Sequence, residues 1–140
     1  MLTPNIDLQN KSILITGAAG FIGANLVMEL LRDTDAVKIV GLDSMSDYYD
    51  VSIKEYRLAE IDKIAKQKND SQWIFVKGSI ADRSLLERLF QEHCFDTAVR
   101  LILLDFANYL IYYTRKKVTY ELLTHEYNYW RRADESVLLP

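Results

Sequence analysis

The chain has 140 residues, 49% of them hydrophobic, which is the length and composition of one globular domain with a real core and excludes intrinsic disorder for most of its length. A net charge of −3, with no basic cluster larger than Arg115-Lys116-Lys117, excludes nucleic acid as a partner, and no run approaches the roughly 18 apolar residues that span a bilayer. Cys94 is the single cysteine, so no internal disulfide forms, and the N-terminus lacks the apolar segment of a signal peptide; both fit a cytoplasmic protein.

Ser12 to Thr16 reads as a short buried strand, continuous and isoleucine-rich. Three glycines spaced three apart come next, then an amphipathic helix whose apolar stripe is Ile22, Leu26 and Leu30. Val37 to Leu42 is a second strand ending at Asp43. Ile53, Leu58, Ile61 and Ile64 mark a second helix that stops in the polar stretch Lys66 to Ser71. Trp73 to Val76 is a third strand, closed by Gly78. Asp82 caps a third helix with Leu85, Leu86, Leu89 and Phe90 on its inner face, and Asp96 to Val99 begins a fourth strand. This alternation predicts an α/β fold, a doubly wound parallel sheet with helices on both faces.

After Val99 the pattern changes. All five glycines lie before Arg100, no proline occurs between Pro4 and Pro140, and six of the nine tyrosines fall within residues 109–129. We therefore divide the chain into a cofactor-binding half-domain, residues 1–99, and a tail, residues 100–140, read as helical over Leu101 to Tyr113 and Val118 to Trp130. Leu101 to Leu104 extending the fourth strand is the alternative. Four strands leave the fourth with an open edge unless the tail covers it, and such an edge invites self-association.

The glycine run Gly17-Ala18-Ala19-Gly20-Phe21-Ile22-Gly23 sits between strand and helix, as a dinucleotide pyrophosphate site requires. Bare backbone N–H groups and the positive end of the helix dipole face the phosphates. Gly17 permits the tight turn, Gly20 lets the main chain approach the pyrophosphate, and Gly23 lets the helix pack closely. Asp43, twenty residues past Gly23 at the end of the second strand, is positioned to accept both hydroxyl hydrogens of the adenosine ribose. It would repel a 2′-phosphate, and no arginine comes directly after it, so NAD is expected rather than NADP.

Lys11 to Val99 resembles the N-terminal half of the extended short-chain dehydrogenase/reductase family, and within it the NAD-dependent nucleotide-sugar 4-epimerases of the UDP-glucuronate type. The carrying motifs are Thr16 to Gly23 and Gly41-Leu42-Asp43 with Asp47-Tyr48-Tyr49-Asp50 after it, supported by Lys54-Glu55-Tyr56-Arg57-Leu58 and Phe75 to Asp82. The resemblance implies a Rossmann-like half-fold, a nucleotide-sugar substrate, and pyrophosphate contacts through the amides of Phe21 and Ile22. It also implies Ser44 beside the adenosine ribose and Ser79 and Ile80 at the adenine. The family usually has an aspartate where Ser79 stands, so weaker cofactor binding is implied.

The family's catalytic Tyr-x-x-x-Lys is not recognisable. Tyr112 with Lys116 and Tyr113 with Lys117 have the spacing, but in a tyrosine-rich tail composition alone accounts for it. No metal is expected: His93 and Cys94 have no second ligand at metal spacing, and His125 is isolated. Three readings are open. One is the cofactor-binding portion of an epimerase, truncated and inactive by itself. Another is a non-catalytic nucleotide-binding module, or another nucleotide-sugar dehydratase or reductase of the superfamily. The third is a frame-shifted product whose last 41 residues are foreign to the fold.

Overall fold

The computed structural model describes residues 7–47, 50–104 and 107–113. In chain order the elements are β1 (Ser12–Thr16), α1 (Phe21–Asp33), β2 (Lys38–Asp43), α2 (Val51–Gln67), β3 (Gln72–Lys77), α3 (Arg83–His93), β4 (Thr97–Leu104) and β5 (Ala107–Tyr113). They form one five-stranded sheet in the order β3-β2-β1-β4-β5. The first four strands are parallel, and β5 returns antiparallel along β4. The chain therefore reverses direction across the sheet between β1 and β4, the switch point at which doubly wound sheets open a crevice.

Strand alternation divides the core in two. Ile13 and Ile15 of β1, Ile39 of β2 and Val99 of β4 pack with Ala24, Val27 and Leu31 of α1 and Ile61 of α2. Leu14, Val40, Leu42 and Ala98 point the other way, onto Leu85, Leu86 and Leu89 of α3. Both faces are covered, which is why the strands read as continuous apolar runs rather than alternating ones. Asp96 fastens β4 to β1: Ser12 N donates to its carboxylate at 2.9 Å, and its own N donates to Ser12 O at 2.8 Å. The Asp82 side chain caps α3 by accepting from Leu85 N at 3.1 Å, as its position ahead of the apolar stripe implies.

Two expectations need correction. The buried stripe of α1 is Gly23, Ala24, Val27 and Leu31, one position on from Ile22, Leu26 and Leu30. Leu26 and Leu30 flank the core and are partly buried, while Ile22 is 37% exposed. The helix is turned because Gly23 must face the loop before it. The expected helix over Leu101 to Tyr113 does not form either. β4 runs on past Val99 to Leu104, and Ala107–Tyr113 pairs with it, from Ala98 opposite Tyr113 to Leu104 opposite Ala107. The backbone groups along the open edge of β4 need partners, and an uncharged segment with three tyrosines and one isoleucine is well suited to supply them. The edge of β4 is thus covered and β5 takes its place as the border. The expected helix over Val118 to Trp130 lies outside the described residues.

His93, in the last turn of α3, has a buried Nδ1 with no hydrogen-bond partner among the described residues. Burial, with a smaller effect from the charge of Lys38, lowers its pKa below 6.5. A lowered folded-state pKa means that the unfolded chain binds more protons, so this contribution is complete above 6.5 and is lost as pH falls through the folded value. Urea unfolding should show stability falling as pH drops below about 6.5, with the slope reduced in His93→Gln. An unchanged slope in the variant would contradict the assignment.

Candidate functional site

Everything the sequence singles out as cofactor-binding gathers at the carboxyl ends of β1, β2 and β3. Chain leaving β1 turns at Gly17, whose φ of +69° is in the left-handed region that favours glycine. The turn is held against β2, with Gly17 N and Ala18 N donating to Leu42 O at 2.8 and 3.3 Å. Gly20 N closes the loop by donating to Gly17 O at 3.0 Å. Helix α1 then begins with Gly20 as a cap that has no side chain, and no acidic residue lies in its first turn. The leading N–H groups of the helix are therefore left to an outside acceptor, with the positive end of the dipole behind them.

Gly23 is what makes this arrangement close. A Cβ at Gly23 would lie 2.0 Å from Gly17 O, and backbone cannot yield to it. At Gly20 the same oxygen would be 3.1 Å away. At Gly17 the neighbour is β4, with Leu101 O at 3.1 Å. The third glycine therefore seats the helix against the turn itself, a tighter requirement than packing on the strand.

Asp43, at the end of β2, is nearly buried, and its carboxylate already has three donors. Oδ2 accepts from Ala19 N at 3.0 Å; Oδ1 accepts from Met45 N at 2.8 Å and from Lys54 Nζ at 3.2 Å. A carboxylate offers about four acceptor positions, so with three donors in place roughly one is left for a ligand. The Asp43–Ala19 bond also makes the carboxylate a strut of the glycine loop.

The remaining site residues surround this pair. Phe21 is 67% exposed at the mouth of α1, with the Arg57 guanidinium 5.7 Å from its ring centroid. Arg57 also donates to Ala19 O at 3.2 Å, fastening α2 to the loop. Ser44 is exposed beside Asp43. Gly78 N donates to Asp43 O at 3.0 Å, bringing the turn after β3 alongside. There the Ser79 hydroxyl accepts from Ala81 N at 3.1 Å, and Ile80 leans into the core under α3. Tyr48, Tyr49, Lys116, Lys117 and His125 lie outside the described residues. Tyr112 and Tyr113 are on strand β5, not on a helix where an i,i+4 pair would share a face.

Sequence reasoning assigns Lys54 and Arg57 no task at the site, although both contact it. A signal is present: Lys54, Leu58 and Ile61 fall on one side of a helix, and a lysine in an apolar stripe needs a buried anion.

With this geometry in view, the chain can be set beside known proteins. The family model described as GDP-mannose 4,6 dehydratase matches residues 14–101, more than half of the chain. The chain belongs to this family. It is similar to UDP-glucuronate 4-epimerase 2 of Arabidopsis thaliana, at 42% identity over 80 residues, which cover 57% of this chain and 16% of that protein. Among solved structures it is similar to UDP-glucuronic acid 4-epimerase from Bacillus cereus, a complex with UDP-glucuronic acid and NAD. There the identity is 28% and the TM-score 0.49, over 64% of this chain and 25% of that one. A ketoreductase domain from the bacillaene assembly line, 20% identical with a TM-score of 0.51 over 71% of this chain and 24% of that one, shares the fold. The chain thus corresponds to about a sixth of the curated epimerase, and the resemblance to nucleotide-sugar epimerases and dehydratases holds across the four parallel strands.

Gly23→Ala should lower the unfolding free energy by about 1–3 kcal/mol, the usual range for overpacking. Gly20→Ala, with its contact at 3.1 Å, should cost clearly less. Chemical unfolding of the two variants checks the order, and equal losses would show that the Gly23–Gly17 approach is not the limiting contact.

Proposed function

We propose that residues 12–101 form the NAD-binding portion of a nucleotide-sugar 4-epimerase of the UDP-glucuronate type, and that this chain by itself holds cofactor without turning a sugar over. The observation that carries the binding half is the pairing of an uncapped α1 N-terminus with Asp43 in one crevice. The residues fit such a ligand: Gly20 presents no side chain toward it, and Asp43 keeps roughly one acceptor position. In this reading the Phe21, Ile22 and Gly23 amides hold the pyrophosphate and Asp43 and Ser44 hold the adenosine ribose. Ser79 and Ile80 border the adenine. NAD supplies a hydride acceptor when bound; the protein's part is to orient it and keep its phosphates neutralised. The epimerase relative supports the UDP-glucuronate assignment over the dehydratases that share the family.

The binding-only half of the proposal rests on the chain beyond β4. The family match stops at residue 101, and β4 then gives way to antiparallel β5. We read the chain beyond residue 101 as a tail foreign to the family, two residues later than the break expected from the sequence, which favours a nucleotide-binding module over a complete catalyst. Translating the gene in its other frames beyond codon 99 tests this: a Tyr-x-x-x-Lys segment there would establish a frameshift.

Titration calorimetry should detect NAD binding to the full chain, while an epimerase assay with UDP-glucuronate should detect no turnover. Ser79→Asp should tighten NAD binding by about fivefold, the difference between a neutral and a charge-assisted hydrogen bond. Absence of heat at millimolar NAD, where a weak site would still register, would refute the binding proposal, and measurable turnover would refute the binding-only half.

A further inference from the structure

Asp43 and Lys54 form an ion pair in which both side chains are nearly buried, 6% and 7% exposed, with Nζ 3.2 Å from Oδ1. Position and exposure together bear on cofactor choice. Asp43 sits at the end of β2, where the ribose reading puts the 2′-hydroxyl, and its lone negative charge is the usual reason to expect exclusion of a 2′-phosphate. Here the charge is not alone. An ammonium 3.2 Å away turns the carboxylate into half of a dipole, whose field on a third group falls off faster than that of a single charge. Ala19 N and Met45 N, bonded to the same carboxylate, add positive dipole ends on its remaining sides. Arg57, bonded to Ala19 O at 3.2 Å, brings a second cation to the loop.

We propose that Lys54 sets the choice between NAD and NADP at this site by cancelling the charge of Asp43, so that the chain tolerates a 2′-phosphate that an unpaired aspartate would reject. This rests on the ribose reading of Asp43 under the proposed function. Lys54 is a positioning and specificity residue, not a catalytic one. A purely structural role would change affinity for both cofactors together. The proposed role changes their ratio.

The test compares dissociation constants for NAD and NADP on the full chain, wild type, Lys54→Met and Lys54→Arg, by calorimetry at one ionic strength. Wild type should bind the two within about tenfold of each other. Lys54→Met should shift the ratio toward NAD by about tenfold or more, and Lys54→Arg should restore it. Should Lys54→Met fail to fold, wild type titrated with adenosine 2′,5′-bisphosphate against ADP gives the answer. Comparable affinities support the proposal, and binding of ADP alone overturns it. NAD binding with an unchanged ratio in Lys54→Met overturns the role of Lys54 and leaves the cofactor reading intact. No binding of either cofactor by folded wild type overturns both.

Discussion

The rest of the structure hangs on a backbone contact between α1 and the turn before it. Gly23 lies so close to Gly17 O that a single methyl group would not fit. That approach fixes the rotation of α1, and the rotation decides which residues are core. Ala24, Val27 and Leu31 go inward, while Phe21 and Ile22 are left exposed. It also aims the N-terminus of the helix at the crevice beside β1. One absence of a side chain therefore serves packing and, in the proposed site, anion binding together, which is why the third glycine cannot be judged from either role alone.

Asp43 imposes the second constraint. In a lone strand-end carboxylate all acceptor positions would be available to a ligand. Here two backbone amides and an ammonium take most of them, so the carboxylate is first a brace between β2, the glycine loop and α2. Bracing pre-organises the loop, which lowers the ordering cost of binding. The same bonds leave less of the carboxylate to recognise ribose and temper the charge it presents. In the proposed site, affinity and discrimination are thus set by the neighbours of Asp43 as much as by Asp43.

How much of this is legible in the sequence depends on whether the signal is local. Ser12–Thr16 can be read with its observed bounds, because a buried parallel strand has only apolar residues to show. The cap at Asp82 and the stripe Leu85, Leu86, Leu89 are likewise local, and the structure has both. The stripe of α1 reads one residue out of place because Ile22 outweighs Gly23 in any hydrophobic count, although the glycine is the buried one. Lys54 escapes notice because lysines are usually solvated, and nothing in its own helix reveals a carboxylate eleven residues back. Strand β5 is hidden for a related reason. Its apolar and tyrosine residues read as either helix or strand, and the deciding partner is the open edge of β4, a non-local demand that periodicity does not express.

The central claim is that the turn after β1 and the ends of β2 and β3 form one cofactor site. Amide hydrogen exchange on the full chain with and without NAD tests it most directly. NAD should slow exchange at Phe21, Ile22 and Gly23, with smaller protection at Ser44 and Ile80, and little change in the outer turns of α2 and α3. NAD binding that leaves the Phe21–Gly23 amides unprotected, or that protects a different edge of the sheet, would contradict it.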